Sequence, residues 1–191
     1  MVMVRVPFTM VAVLVTAAIA FAQTTAKPEI AVTDAAGVYH VTATFTVAAS
    51  SATVAAVLTD YDRIPEFMPG VVSSQVVGRT DAGLVIEQEA AARFMLLTKR
   101  IHLVLDVSQE DGIIRFRDRC GKSFAQYEGA WRLSAAGNRT TITYELSAKP
   151  SFDVPAFVLK RLLRRDAAAM MERLTAEITS RGDSPPSDTR R

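Results

Sequence analysis

From Tyr39 to Val47 the chain alternates: Tyr39, Val41, Ala43, Phe45 and Val47 are apolar, and His40, Thr42, Thr44 and Thr46 between them are polar. Successive side chains of a strand point to opposite faces, so this run predicts a strand with one buried face. After Ser50 and Ser51, natural helix caps, the period changes. Val54, Val57, Leu58 and Tyr61 stand three or four apart and predict a short helix over about 51–59. Pro65, Pro69 and Gly70 then break the chain into one turn of helix around Asp62–Phe67 and a loop.

A meander of strands follows. Val71–Arg79 and Leu84–Ala91 flank the turn Thr80-Asp81-Ala82-Gly83. Met95, Leu97, Ile101, Leu103, Leu105 and Val107 mark a long strand whose other face carries Arg100, His102 and Asp106, and Ile113–Arg119 lies beyond the turn Glu110-Asp111-Gly112. Ala125, Tyr127, Gly129, Trp131 and Leu133 form the inward set of the next strand. After Ala136-Gly137-Asn138, Ile142, Tyr144, Leu146 and Ala148 form that of the last. Pro150 closes the sheet and Pro155 suits the start of a final helix. On that helix Leu159, Leu163, Ala167, Met170, Leu174 and Ile178 make one apolar stripe. An antiparallel sheet with one apolar face must be covered, and this long helix is the available cover. The pattern therefore predicts an α+β fold in which a sheet wraps a C-terminal helix. An incomplete seal leaves a pocket between them; a complete one leaves a core.

The termini read differently. Arg5 precedes an uncharged apolar run from Val6 to Ala22 that ends Ala20-Phe21-Ala22, followed by Gln23-Thr24-Thr25. This is the pattern of a cleaved signal peptide over 1–22, and it places the mature chain in the periplasm or outside the cell. Residues 23–37 read as a short polar leader, 38–181 as the domain, and the Pro/Ser/Asp-rich 182–191 as a disordered tail.

Composition mostly excludes. An apolar fraction of 49% in 191 residues supports a real core, and a net charge of +2 is no footprint of a nucleic-acid partner. A single Cys rules out an internal disulfide and Cys-rich metal sites, and two distant His residues leave no evident metal centre. The glycines form no phosphate-binding pattern, so no nucleotide cofactor is implied. Gly129 interrupts an aromatic strand and points to a bulge or stronger curvature.

Acid–base chemistry finds few candidates. His40 and His102 fall on the outward parity of their strands. Asp60, Asp62, Arg63 and Glu66 cluster after the first helix, where Asp60 suits a backbone-capping role and Arg63 an ion pair. Cys120 has no His at a spacing that would make a nucleophilic pair. Arg115, Arg117 and Arg119, with Lys160–Arg165, suit solvated faces or transient contact with anionic headgroups of a membrane surface. The aromatic residues are more informative. Tyr127, Trp131 and Tyr144 share inward phases and offer large apolar surfaces with polar tips. Phe67 and Met68, between two prolines, are placed to close the entrance, and Phe157 and Met170 to line the helix side. These seven are the candidate ligand-binding residues, each with core packing as its alternative.

The stretches FTVAASSATVAAVLTDYDRIPEFMPGV at 45–71, GAWRL at 129–133 and TTITYELSAKPSFDVPAFVLKRLLRRD at 140–166 resemble the START-like, helix-grip superfamily, and within it the polyketide cyclase/dehydrase and coenzyme-Q-binding branch. The resemblance spans about 38–180. It implies a curved antiparallel sheet of six to seven strands around a long C-terminal helix, with one or two short helices after the first strand. It also implies a deep apolar cavity that holds lipids, quinones, steroids, isoprenoids, fatty acids or polyketide-like molecules. The expected function is noncatalytic binding or transport of such a molecule by a monomer without metal or cofactor. The alternatives are a polyketide cyclase/dehydratase-type enzyme, and a module that docks a protein through its groove or basic helix.

Overall fold

The computed structural model describes residues 27–94 and 97–182; the stretch read as a signal peptide, Met95 and the stretch read as a disordered tail beyond 182 lie outside the described residues. Strand β1 (Glu29–Ala35) lies within the stretch expected to be a leader and pairs antiparallel with β2 (Val38–Val47). Ala36 and Gly37, both at positive φ (51° and 78°), make the two-residue turn. The strand was hard to read because it is an edge: of its seven residues only Val32 is buried. Helix α1 (Ser51–Leu58) starts where the serines predict, with Ser50 Oγ accepting a hydrogen bond from the Thr53 amide at 3.1 Å. A 3-10 turn (Tyr61–Arg63) and helix α2 (Ile64–Phe67), with Pro65 in its first turn, lead into β3 (Val71–Thr80).

Strands β4 (Gly83–Phe94), β5 (Leu97–Glu110), β6 (Ile113–Asp118), β7 (Phe124–Ala136) and β8 (Arg139–Pro150) complete an eight-stranded sheet of order β1-β2-β8-β7-β6-β5-β4-β3. Every neighbouring pair is antiparallel. The architecture is the expected helix grip, with β1 as the additional strand. Helix α3 (Ala156–Gly182) packs on β1, β2, α1 and α2, while α2 and the 3-10 turn pack on β3 at the far edge. The short helices and α3 thus close what the sheet leaves open.

Parities on β2 and β8 hold throughout: Val41, Ala43, Phe45 and Val47 face Ile142, Tyr144, Leu146 and Ala148 across one buried surface. On β7 the parity is shifted at the start. A register shift between Phe124 and Gln126 turns Ala125 to solvent and brings Phe124 inward beside Tyr127, with ring centroids 4.9 Å apart. Gly129 lies beyond this irregularity and serves close approach. A Cβ there would stand 2.1 Å from the Glu145 carbonyl oxygen and 2.6 Å from Phe116 Cζ. On α3, Met171 as well as Met170 belongs to the inward face, and Met171 is wholly buried.

Candidate ligand-binding cavity

Between the sheet and the helices lies a cavity of about 140 Å³. Its floor is the aromatic set of β6, β7 and β8. Trp131 and Tyr144, directly opposite in register, pack tilted with centroids 4.4 Å apart, and Phe116 stands 5.9 Å from Tyr127 and 6.2 Å from Tyr144. Ile86, Leu105, Val107 and Ile114 extend the wall along the sheet. Met170 faces it from α3, and Leu58, Tyr61, Ile64, Met68 and Val71 line it from α1, α2 and the start of β3.

The polar groups are few. The Tyr127 and Tyr144 side chains interact through a hydrogen bond between their hydroxyls. Burial pushes the Tyr127 hydroxyl up to about 12, partly offset by that hydrogen bond, and it pushes Tyr144 well above the usual phenol range. Tyr61 is likewise pushed up to about 12 by burial. All three phenols therefore stay protonated at any ordinary pH and act as hydrogen-bonding groups. Gln88 joins them, its Nε2 donating to Ser74 Oγ at 3.1 Å, which leaves its carbonyl oxygen as an acceptor. Among the described lining residues none carries a charge.

Five of the seven candidate residues are in this wall: Met68, Tyr127, Trp131, Tyr144 and Met170. Phe67 is not. It is buried in the core, and the Arg181 guanidinium lies 5.8 Å from its ring centroid. Phe157 is far from lining anything, with 77% of its surface exposed, because it falls off the helical stripe that begins at Leu159. Tyr61, Gln88 and Phe116 went unread as wall residues. Gln88 and Phe116 share parity with the buried Ile86 and Ile114, and a polar residue on an apolar parity is the signal that marks Gln88.

The acid–base candidates are elsewhere. His40 Nδ1 lies 2.9 Å from Ser147 Oγ on the outer face, and His102 lies between Glu87 and Glu89, 3.8 and 3.9 Å away, on the same face. Asp60 does not cap the turn. Its carboxylate takes Arg181 at 2.7 Å and Arg63 at 3.6 Å, and the carboxylate that accepts a backbone amide is Asp62, from Val76 at 3.3 Å. Cys120 is half-buried beside Asp118, its Sγ 3.6 Å from a carboxylate oxygen. A larger concavity of about 610 Å³ exists on the outer sheet face, but its charges largely satisfy one another, with Arg117 on Glu128 at 2.8 Å, Arg119 on Asp106 at 3.4 Å and Arg132 on Glu145 at 3.1 Å. It is a solvated, charged sheet surface; the apolar cavity between the sheet and the helices is the candidate site.

The profile of the family described as "Polyketide cyclase / dehydrase and lipid transport" matches residues 39–179, nearly the whole sheet and helix. The chain belongs to that family. Its fold recurs in a START superfamily protein from Mycobacterium smegmatis (TM-score 0.64, 17% identity, 74% of this chain and 97% of that one). It recurs in a STAR-related lipid transfer protein from Xanthomonas axonopodis (0.60, 18%, 81% and 99%) and in the Zhui aromatase/cyclase of a Streptomyces species (0.63, 16%, 75% and 95%). At these identities the likeness shows the fold. No curated protein sequence matches the chain.

Proposed function

We propose that this protein binds, without altering it, a small neutral hydrophobic molecule carrying an oxygen acceptor, and serves as its carrier. The observation that supports this reading is the wall itself: a mostly apolar and aromatic lining, two hydrogen-bonded phenols at one place, and no ionised group among the described lining residues. Two phenols hydrogen-bonded to each other use one of their two protons. The other remains for a carbonyl or hydroxyl of the guest. A carboxylate would enter with no cation to meet it, which disfavours fatty acids in this seat. A cavity of about 140 Å³ is near the ~150 Å³ that holds a single benzene ring, so a ring-bearing head is seated here and any tail runs out past Met68 and Val71. Binding strength comes from apolar area at about 25 cal/mol per Å², and orientation from the phenols. We place this binding in the periplasm or outside the cell, a reading supported by the signal-peptide pattern ahead of Gln23.

Native mass spectrometry of protein isolated without detergent, followed by solvent extraction of what it releases, tests this. A neutral oxygenated species at one per chain is the expected result. Recovery of a charged lipid, or conversion of an added polyketone by the purified protein, would overturn the carrier reading, the latter in favour of a cyclase.

A further inference from the structure

The first three turns of α3 are rich in cations. Lys160, Arg161, Arg164 and Arg165 fall in its second and third turns, and the first turn holds no acid to answer them. Four cations stand against two acids, Asp153 and Asp166, between residues 153 and 166. Lys160 is held by Asp34, and Arg165 pairs with Asp166 at 2.9 Å. Arg161 and Arg164 have no carboxylate partner among the described residues, and both are exposed. They follow Phe157 at positions i+4 and i+7, so one helix face presents an aromatic ring and then two free guanidinium groups. Pro155 and Ala156, just before, are exposed as well.

The sheet adds to this face. Arg165 Nη2 donates to the Arg93 carbonyl at 3.4 Å, which ties the end of β4, paired with β5 and its Lys99, to the helix. Lys99 Nζ stands 5.1 Å from the centre of the Phe152 ring. Arg115 and Arg117 on β6, with Arg119 just beyond it, present a contrast, because two of those three already hold carboxylates. A chain of rings also runs from the cavity toward this end: Tyr127 to Phe124 at 4.9 Å, and Phe124 to Phe152 at 6.2 Å.

We infer that the face formed by Phe157, Arg161, Arg164, Arg93 and Lys99 docks on an anionic lipid bilayer, Phe157 entering the interface while the cations meet the headgroups. Charge complementarity and the exposed ring carry the choice of partner. Surface cations supply long-range attraction, and an inserted ring supplies short-range hold; stable docking takes both. This inference stands independently of what occupies the cavity.

The test uses the full chain with vesicles of phosphatidylcholine alone and of phosphatidylcholine mixed with phosphatidylglycerol, read by flotation. The apolar N-terminal run is common to every variant and cancels in the comparison. Association should favour the anionic vesicles. Arg161→Glu with Arg164→Glu should lower it about 20-fold or more, at about fivefold for each basic charge. Phe157→Ser should lower it about fivefold. Arg115→Glu, which faces only Ser108 and Ala130 across the sheet, should leave it unchanged. All these side chains are exposed, so melting temperatures should match that of the parent chain, and ligand retention in the cavity should be unaffected. Equal association with both kinds of vesicle, or indifference to the α3 reversal, overturns the inference. Loss on charge reversal but not on Phe157→Ser, with equal binding to soluble heparin, replaces the bilayer with a polyanionic macromolecule.

Discussion

Tyr144 shows how much one residue can carry and how much of that is visible early. Its inward parity on β8 follows from simple alternation, as do those of Tyr127 and Trp131, because a period of two assigns every side chain of a regular strand to a face. That its hydroxyl meets the hydroxyl of Tyr127 depends on the register of β7 against β8, which no local pattern contains. Tyr144→Phe keeps the ring against Trp131 and removes the hydroxyl. It should weaken ligand retention about five- to tenfold, roughly 1 kcal/mol, with little change in melting temperature; titration with the extracted ligand measures the first and calorimetry the second. The phenols also set an alkaline limit. The native chain keeps the Tyr61 and Tyr127 protons to about pH 12, whereas an unfolded chain releases them near 10.0. Between those values the native state binds more protons, so stability is intact below about 10 and declines as pH rises toward 12. Tyrosinate absorbance should therefore rise together with loss of circular dichroism. A full tyrosinate signal from a still-folded chain would contradict the burial assigned to these groups.

At the scale of elements, α3 was legible and β1 was not. Six residues at spacings of three and four define the stripe, but the inward face of a 27-residue helix is broad enough for both Met170 and Met171. The two divide the work. Met171 is wholly buried, and Met170 faces the cavity. Met171→Ala should cost about 2–5 kcal/mol in denaturant unfolding. Met170→Ala should cost less, because its side chain already borders empty space, and should let the cavity accept a bulkier ring. Similar losses for both variants would argue against this division. β1 escaped notice because an edge strand buries little, so Ile30 and Val32 alone carry its alternation. The shifted start of β7 escaped for another reason: an extra residue in a strand leaves no mark on composition, and only the pairing with β8 shows that Phe124 and Tyr127 lie on the same side.

For the molecule as a whole, the closure of the grip rests on Arg181 in the last turn of α3. It pairs with Asp60 and Glu177, each at 2.7 Å, and lies over Phe67, so the end of the long helix is tied to the junction of α1 and α2 beside the cavity wall. Arg181→Ala should lower stability by about 1 kcal/mol and speed amide exchange in residues 61–68, whereas Arg63→Ala, which leaves that tie in place, should affect exchange there much less. Unchanged exchange would mean that the wall is held by apolar packing alone. The sequence by itself determined the period of most elements and the need for a helix to cover an apolar sheet face, because alternation, capping and breakers are local properties that neighbouring residues express; its resemblance to the helix-grip family lay in particular stretches such as 45–71. The tertiary structure alone decided that the interior is a cavity and not a filled core, that its polar groups are two facing phenols and a glutamine, and that Asp60 answers to Arg181. Those outcomes depend on register and on the volume left after side chains from distant segments have packed, a small difference between large quantities that no single stretch of chain encodes.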